Sequence, residues 1–235
     1  MRKIMLVIMS GIFLVSINLA VGAEPLQITK GDCKITLGGI YYKDVRVFWL
    51  EQLTFHKNWK QYYLRLPWTV GRSVVERGKK GDDTLYIKAK SKDGLFSGKI
   101  IMRLGESNSV YVDYYWNLEE LEGSKGVSFC LVALGLNSTL FLDRPFTVKK
   151  GDKVIKEGRL TKGPYGKRDY LFEWCSEVTF GSPFGNVVVS STTGDWLNMR
   201  STGIGFVYRF PKLDEKLHVG LVIKFPKPES MEKVE

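Results

Sequence analysis

Two carboxylates flank a tryptophan in the run Glu173-Trp174-Cys175-Ser176-Glu177. Paired carboxylates hydrolyse glycosidic bonds when they stand about 5 Å apart, or about 6.5–9.5 Å apart with a water between them. Tyr170 to Trp174 reads as a strand, and residues four apart on an extended strand share a face at a distance of about 13 Å. Glu173 and Glu177 are therefore too far apart to act on one bond. Glu173 would need a carboxylate from another strand, such as Asp113. Solvated surface carboxylates are the ordinary reading of all three.

A second set lies in Thr193-Gly194-Asp195-Trp196-Leu197-Asn198-Met199-Arg200, just after a turn signal. Exposed loops carry a large share of binding residues. Trp196, Asn198 and Arg200 alternate, so on a strand they share one face. A tryptophan, an amide and a guanidinium on one face suit a sugar: the ring stacks on C–H surfaces and the polar groups take hydroxyls. Trp116 is the next candidate. Packing of the tryptophan over a sandwich edge explains the same pattern equally well. The aromatic-rich stretch from Tyr41 to Trp68 holds apolar residues on both strand faces, which suits a core more than a platform.

Other chemistries find little support. His56 and His218 are the only histidines, too few for a three-histidine metal site. His218 alternates with apolar neighbours and is expected on the polar face of a strand. There is no Gly-x-Ser-x-Gly elbow. Gly94 to Lys99 has the wrong glycine spacing for a phosphate loop. Neither a cofactor nor a metal site is expected. Cys33, Cys130 and Cys175 allow at most one disulfide; Cys130 reads as a buried thiol, and Cys33 and Cys175 pair only if the fold brings them together.

These residues must be positioned by strands. Segments rich in β-branched and aromatic residues recur at Leu85 to Lys90, Gly98 to Leu104, Ser109 to Trp116, Val127 to Leu134 and Ser138 to Leu142. They recur again at Tyr170 to Trp174, Asn186 to Ser191, Ile204 to Phe210 and Leu217 to Phe225. Gly, Asn and Asp turns separate them, and the 24 glycines agree. The pattern predicts an all-β fold, a single large antiparallel β-sandwich. One short helical turn is predicted from Asn117 to Gly123.

The N-terminus supplies an address. Arg2 and Lys3 precede an apolar run from Ile4 to Val21, and Val21-Gly22-Ala23 offers a cleavage site, the layout of a secretory signal peptide. Residues 1–23 are read as that signal, 24–225 as the β-sandwich and 226–235 as a loose tail. An uncleaved anchor is the competing reading of the same run. With cleavage, no stable membrane span remains and the domain is secreted or periplasmic. The formal charge of +10 falls by two when Arg2 and Lys3 leave. Export disfavours nucleic acid as a partner. It leaves acidic polysaccharide or anionic envelope as electrostatic options beside a merely solvated lysine-rich surface. No protein partner can be named.

The stretch from Val110 to Phe225 resembles a known family in its strand order and aromatic placement. The succession is Val-Tyr-Val-Asp-Tyr-Tyr-Trp-Asn (110–117), Thr-Leu-Phe-Leu-Asp-Arg-Pro (139–145), Gly185 to Ser191, Asp195 to Arg200, and a closing run to Phe225. It is similar to the galactose-mutarotase-like all-β super-sandwich domains, which also accompany extracellular glycoside hydrolases and polysaccharide lyases. The histidine pair of active mutarotases has no clear counterpart. The resemblance implies a carbohydrate-associated module without catalysis of its own. The expectation is thus an exported β-sandwich that binds or accompanies a polysaccharide or envelope glycan, through Trp196, Asn198, Arg200 and Trp116. The alternatives are a secreted glycan-cleaving enzyme using Glu173, Glu177 and Asp113, and a structural envelope domain that binds protein.

Overall fold

The computed structural model describes residues 26–57, 61–66, 73–118, 128–161, 170–200, 207–208 and 216–227. The expected signal segment, the tail from 228 and residues 119–127 lie outside this set. No helix among the described residues is long and apolar enough to cross a membrane.

Alternating sequences and tight turns build the strands. Lys43 and Asp44 both take positive φ (48° and 61°), as do Ser107 and Asn108 (51° and 55°). Two successive residues of that kind give the turn whose twist matches a right-handed hairpin. These turns join strand β3 (Gly39–Tyr42) to β4 (Val45–Lys57), and β8 (Phe96–Leu104) to β9 (Ser109–Leu118).

Two antiparallel sheets result. The smaller runs β1 (Gln27–Lys30), β2 (Cys33–Thr36), β3, β4, β10 (Ser128–Leu136), β17 (Val207–Tyr208), with β5 (Gln61–Leu66) also on β4. The larger has nine strands. One half is a meander of β6 (Ser73–Lys80), β7 (Thr84–Ser91), β8 and β9. The other half is β12 (Lys153–Arg159), β11 (Pro145–Lys150), β14 (Glu177–Ser182) and β15 (Gly185–Ser191). The last strand, β18 (Lys216–Lys224), enters between β15 and β9 and joins the halves. A separate ribbon pairs β13 (Tyr170–Cys175) with β16 (Leu197–Arg200).

The inner faces form one core. Leu85, Ile87, Ile100, Met102, Val110, Val112, Leu221 and Ile223 of the large sheet are buried with Ile35, Phe48, Leu53 and Phe55 of the small one. Phe55 and Phe96 meet across the sandwich at 4.8 Å. Tyr114 is fully enclosed, and its hydroxyl donates to the Ala133 carbonyl of β10 at 2.6 Å, a polar link between sheets. The chain end is fixed as well. Phe225 stacks on Tyr42 at 4.8 Å, and the Pro226 carbonyl accepts from Tyr42 Oη at 2.9 Å and Asn108 Nδ2 at 3.0 Å. The loosening expected at Pro226 therefore does not begin there.

Two local expectations are corrected. Ser138–Phe141 is not a strand but the helical turn α1. Asn137 prepares it: its amide donates to the Arg46 carbonyl and its side-chain oxygen accepts from Thr139, while Phe141 is buried against Phe48 and Phe180. Asn117, the expected cap of a turn to Gly123, instead continues β9 and pairs with Ser97 and Lys216.

Cys33 and Cys175 are free and buried. Burial pushes both thiols up to about 12, with the Asp32 charge adding to the effect at Cys33 and the Asp195 charge at Cys175. A thiol that stays neutral in the fold stabilises it fully below its unfolded value of 9.0, and that stability is lost as pH rises towards 12. We expect a thiol-reactive disulfide reagent at neutral pH to label both cysteines at the rate of global unfolding. Labelling as fast as in denaturant would show them accessible.

Candidate functional site

The outer face of the large sheet carries an ordered row of polar side chains. Antiparallel register places Glu76 opposite Lys88, Lys88 opposite Lys99, Lys99 opposite Tyr115, and Tyr115 opposite His218. The row crosses β6, β7, β8, β9 and β18 at one level. One step along the strands, Lys90 stands opposite Ser97, and Ser97 opposite Asn117. These two rows line a groove of about 700 Å³, with Ala89, Gly98 and Trp116 in its floor. That volume falls within the range of small-ligand sites.

The side chains are held by one another. His218 Nε2 lies 2.7 Å from Asp113 Oδ1. The imidazole stacks on Tyr115 at 4.3 Å with 4° between planes. Lys99 Nζ sits 4.6 Å from the Tyr115 ring centre. Because β8 and β18 flank β9 on opposite sides, Lys99 and His218 approach Tyr115 from opposite sides. Burial, reinforced by the Asp113 charge, raises the Tyr115 phenol above its ordinary value, so it remains a donor. At the other end, Glu76 accepts from Tyr86 Oη at 2.9 Å and from Lys88 Nζ at 3.2 Å.

Gly220 makes room for the Asp113–His218 contact. A Cβ there would fall 2.3 Å from Thr192 Oγ1 and 2.7 Å from Asp113 Oδ1. The Gly220 N–H donates to Thr193 Oγ1 at 3.0 Å and its carbonyl accepts from Thr192 N at 2.9 Å. The turn Thr193-Gly194-Asp195 is thereby tied to the strand that carries His218.

The expected binding set is placed elsewhere. Trp196 is 3% exposed and Asn198 is 4% exposed. Asn198 Oδ1 accepts from Trp174 N at 2.8 Å, and its Nδ2 donates to the Trp196 carbonyl at 2.9 Å. Both therefore brace the β13–β16 ribbon from inside, and neither offers a face to a sugar. The Arg200 side chain lies outside the described residues. Trp116 is 4% exposed, with its indole on the core face below the groove.

The carboxylate set is also redistributed. Trp174 takes a positive φ of 52° and Ser176 bends, so Glu173 ends up on the ribbon β13 and Glu177 begins β14. The single strand expected to hold both does not exist. Glu177 binds Lys149 at 3.0 Å and accepts from Ser190 Oγ at 3.1 Å. It stands level with Tyr111, three strand spacings from β9, which is about 14 Å. Glu177 and Asp113 therefore cannot serve one glycosidic bond. Asp113 serves His218. No group of His, Cys, Asp and Glu among the described residues could hold a metal ion.

Sequence reasoning missed Glu76, Lys88, Lys90, Lys99 and Tyr115, and saw His218 only as a polar-face residue. The available signal was alternation: each of these lies at an outward position of a strand. Their common level depends on register, which no single strand reveals.

No family model matches the chain, and no curated protein matches it. Solved structures with a similar strand arrangement include a GalM/aldose epimerase homologue from C. elegans, at 10% identity and a TM-score of 0.47 over 86% of this chain and 98% of that one. They also include galactose 1-epimerase from Lactobacillus acidophilus NCFM, at 9% identity and a TM-score of 0.47 over 83% of this chain and 91% of that one. At these values the likeness is to a strand arrangement and assigns no role to any residue.

Proposed function

We propose that the protein is an exported, non-catalytic carbohydrate-binding domain whose ligand lies in the groove on the outer face of the large sheet. The single observation that supports this is the level row Lys88, Lys99, Tyr115 and His218, extended by Ser97 and Asn117, along one groove. Such a row offers donors and acceptors at strand spacing, about 4.8 Å, and a sugar chain laid across the strands presents hydroxyls along its length. The leader read from the sequence would bring the domain to where glycans are.

Gly220→Ala tests the reading. The added methyl displaces Asp113 or Thr192 and so releases His218, while the core face of β18 is untouched. We expect glycan binding, measured by affinity electrophoresis or calorimetry, to weaken about tenfold, as for the loss of one or two polar contacts. Unchanged binding by the folded variant would place the ligand elsewhere.

The Asp113–His218 contact favours a second reading, a glycan-modifying enzyme. A histidine oriented by a carboxylate in a groove can exchange a proton with a substrate. New reducing ends, unsaturated products or anomer exchange that disappear in His218→Gln would establish this alternative.

A further inference from the structure

We propose that the groove selects glycans bearing carboxylates, and that Lys90 and Lys99 are the selecting residues. This rests on the reading of the groove as a carbohydrate site and narrows it to acidic sugars.

The charges in the groove do not cancel. Lys88 is neutralised by Glu76. None of the ion pairs among the described residues involves Lys90 or Lys99. Lys99 is held against a π face, which positions an ammonium without removing its charge. Asp113 Oδ1 is turned to His218 Nε2 at 2.7 Å. Among the described residues, two ammonium groups without an ion-pair partner therefore remain on adjacent strands, offset by two residues, so their Cα atoms are about 7–8 Å apart on the diagonal. That distance lets both reach one sugar unit or two successive ones.

The aromatic rings of the groove point the same way. A neutral sugar is gripped mainly by an open ring face. Tyr115 has Lys99 on one side and His218 on the other, leaving its edge and hydroxyl for a ligand. Trp116 lies with the core. Binding here must therefore draw on hydrogen bonds and charge. Lysine, a compact and mobile point charge, suits a carboxylate met singly in water.

The test compares polygalacturonate with its methyl-esterified form, the same backbone with the charge removed. Dextran sulfate and dextran form a second pair. We expect the free acid to bind about tenfold more tightly than the ester at low salt, with the advantage fading as ionic strength rises. We expect Lys90→Gln/Lys99→Gln to abolish the difference, and Lys80→Gln/Lys153→Gln, which removes two exposed lysines outside the groove, to preserve it. Equal binding of acid and ester would overturn the selectivity while leaving a glycan-binding groove. A loss as large in the control variant, or a preference for dextran sulfate insensitive to Lys90 and Lys99, would reduce the effect to overall charge and overturn it too. Failure of every glycan to bind the folded protein would remove the carbohydrate reading along with it.

Discussion

Trp196→Ala lowers folding stability by about 3–5 kcal/mol, the cost of emptying a large aromatic site in a core. Marginal stabilities of about 5–15 kcal/mol make that a large fraction of the total. The indole is buried, and so are the next three residues, Leu197, Asn198 and Met199. Four consecutive buried residues mean that β16 is covered on both faces. Emptying the indole site would disturb Asn198, which shares its strand face, donates to the Trp196 carbonyl and accepts from Trp174 N. Urea denaturation of wild type and variant provides the measurement. A shift worth less than about 1 kcal/mol would show that the ring sits at the surface after all. If the variant fails to bind glycan, the folded fraction decides the cause.

Gly39→Ala costs about 3 kcal/mol or more, through overpacking against backbone. A Cβ at Gly39 would lie 2.4 Å from the Phe48 carbonyl oxygen and 3.2 Å from Trp49 Cα. No rotamer change relieves a contact with main chain. The β3–β4 pairing, already shifted between Ile40 and Tyr41, would have to open. Ile40 and Tyr42 on β3 are both core residues, and Phe48 packs on Phe141 and Phe225, so the strain spreads to both sheets. Thermal unfolding is the check; a midpoint within 2 °C of wild type would contradict the close approach, since about 1 kcal/mol corresponds to roughly 2–4 °C in a domain of this size.

The fold class was legible because it needs only local information. Alternation at Leu85 to Lys90, Gly98 to Leu104 and Ser109 to Trp116, with turns at Gly81, Asn108 and Gly151, is enough to announce antiparallel strands. The site was not legible. His218 and Asp113 are 105 residues apart and meet only because β18 lies beside β9. Trp196 is hidden from sequence for a local reason: alternation ordinarily marks one exposed face, whereas residues 196–199 are buried on both. Glu173 and Glu177 misled because a bend at Ser176 and a left-handed Trp174 interrupt what reads as continuous strand.

The position of β18 sets the time at which the molecule can become itself. The final strand of the described chain is the seam between the β6–β9 meander and the β11–β15 half. Until residues 216–224 have been made, neither half has its central neighbour and His218 has no place beside Asp113. Contacts of such long sequence separation close late, and domains dominated by them fold in milliseconds to seconds, at the slow end for small proteins. A growing chain therefore cannot complete this sheet before residues 216–224 have emerged.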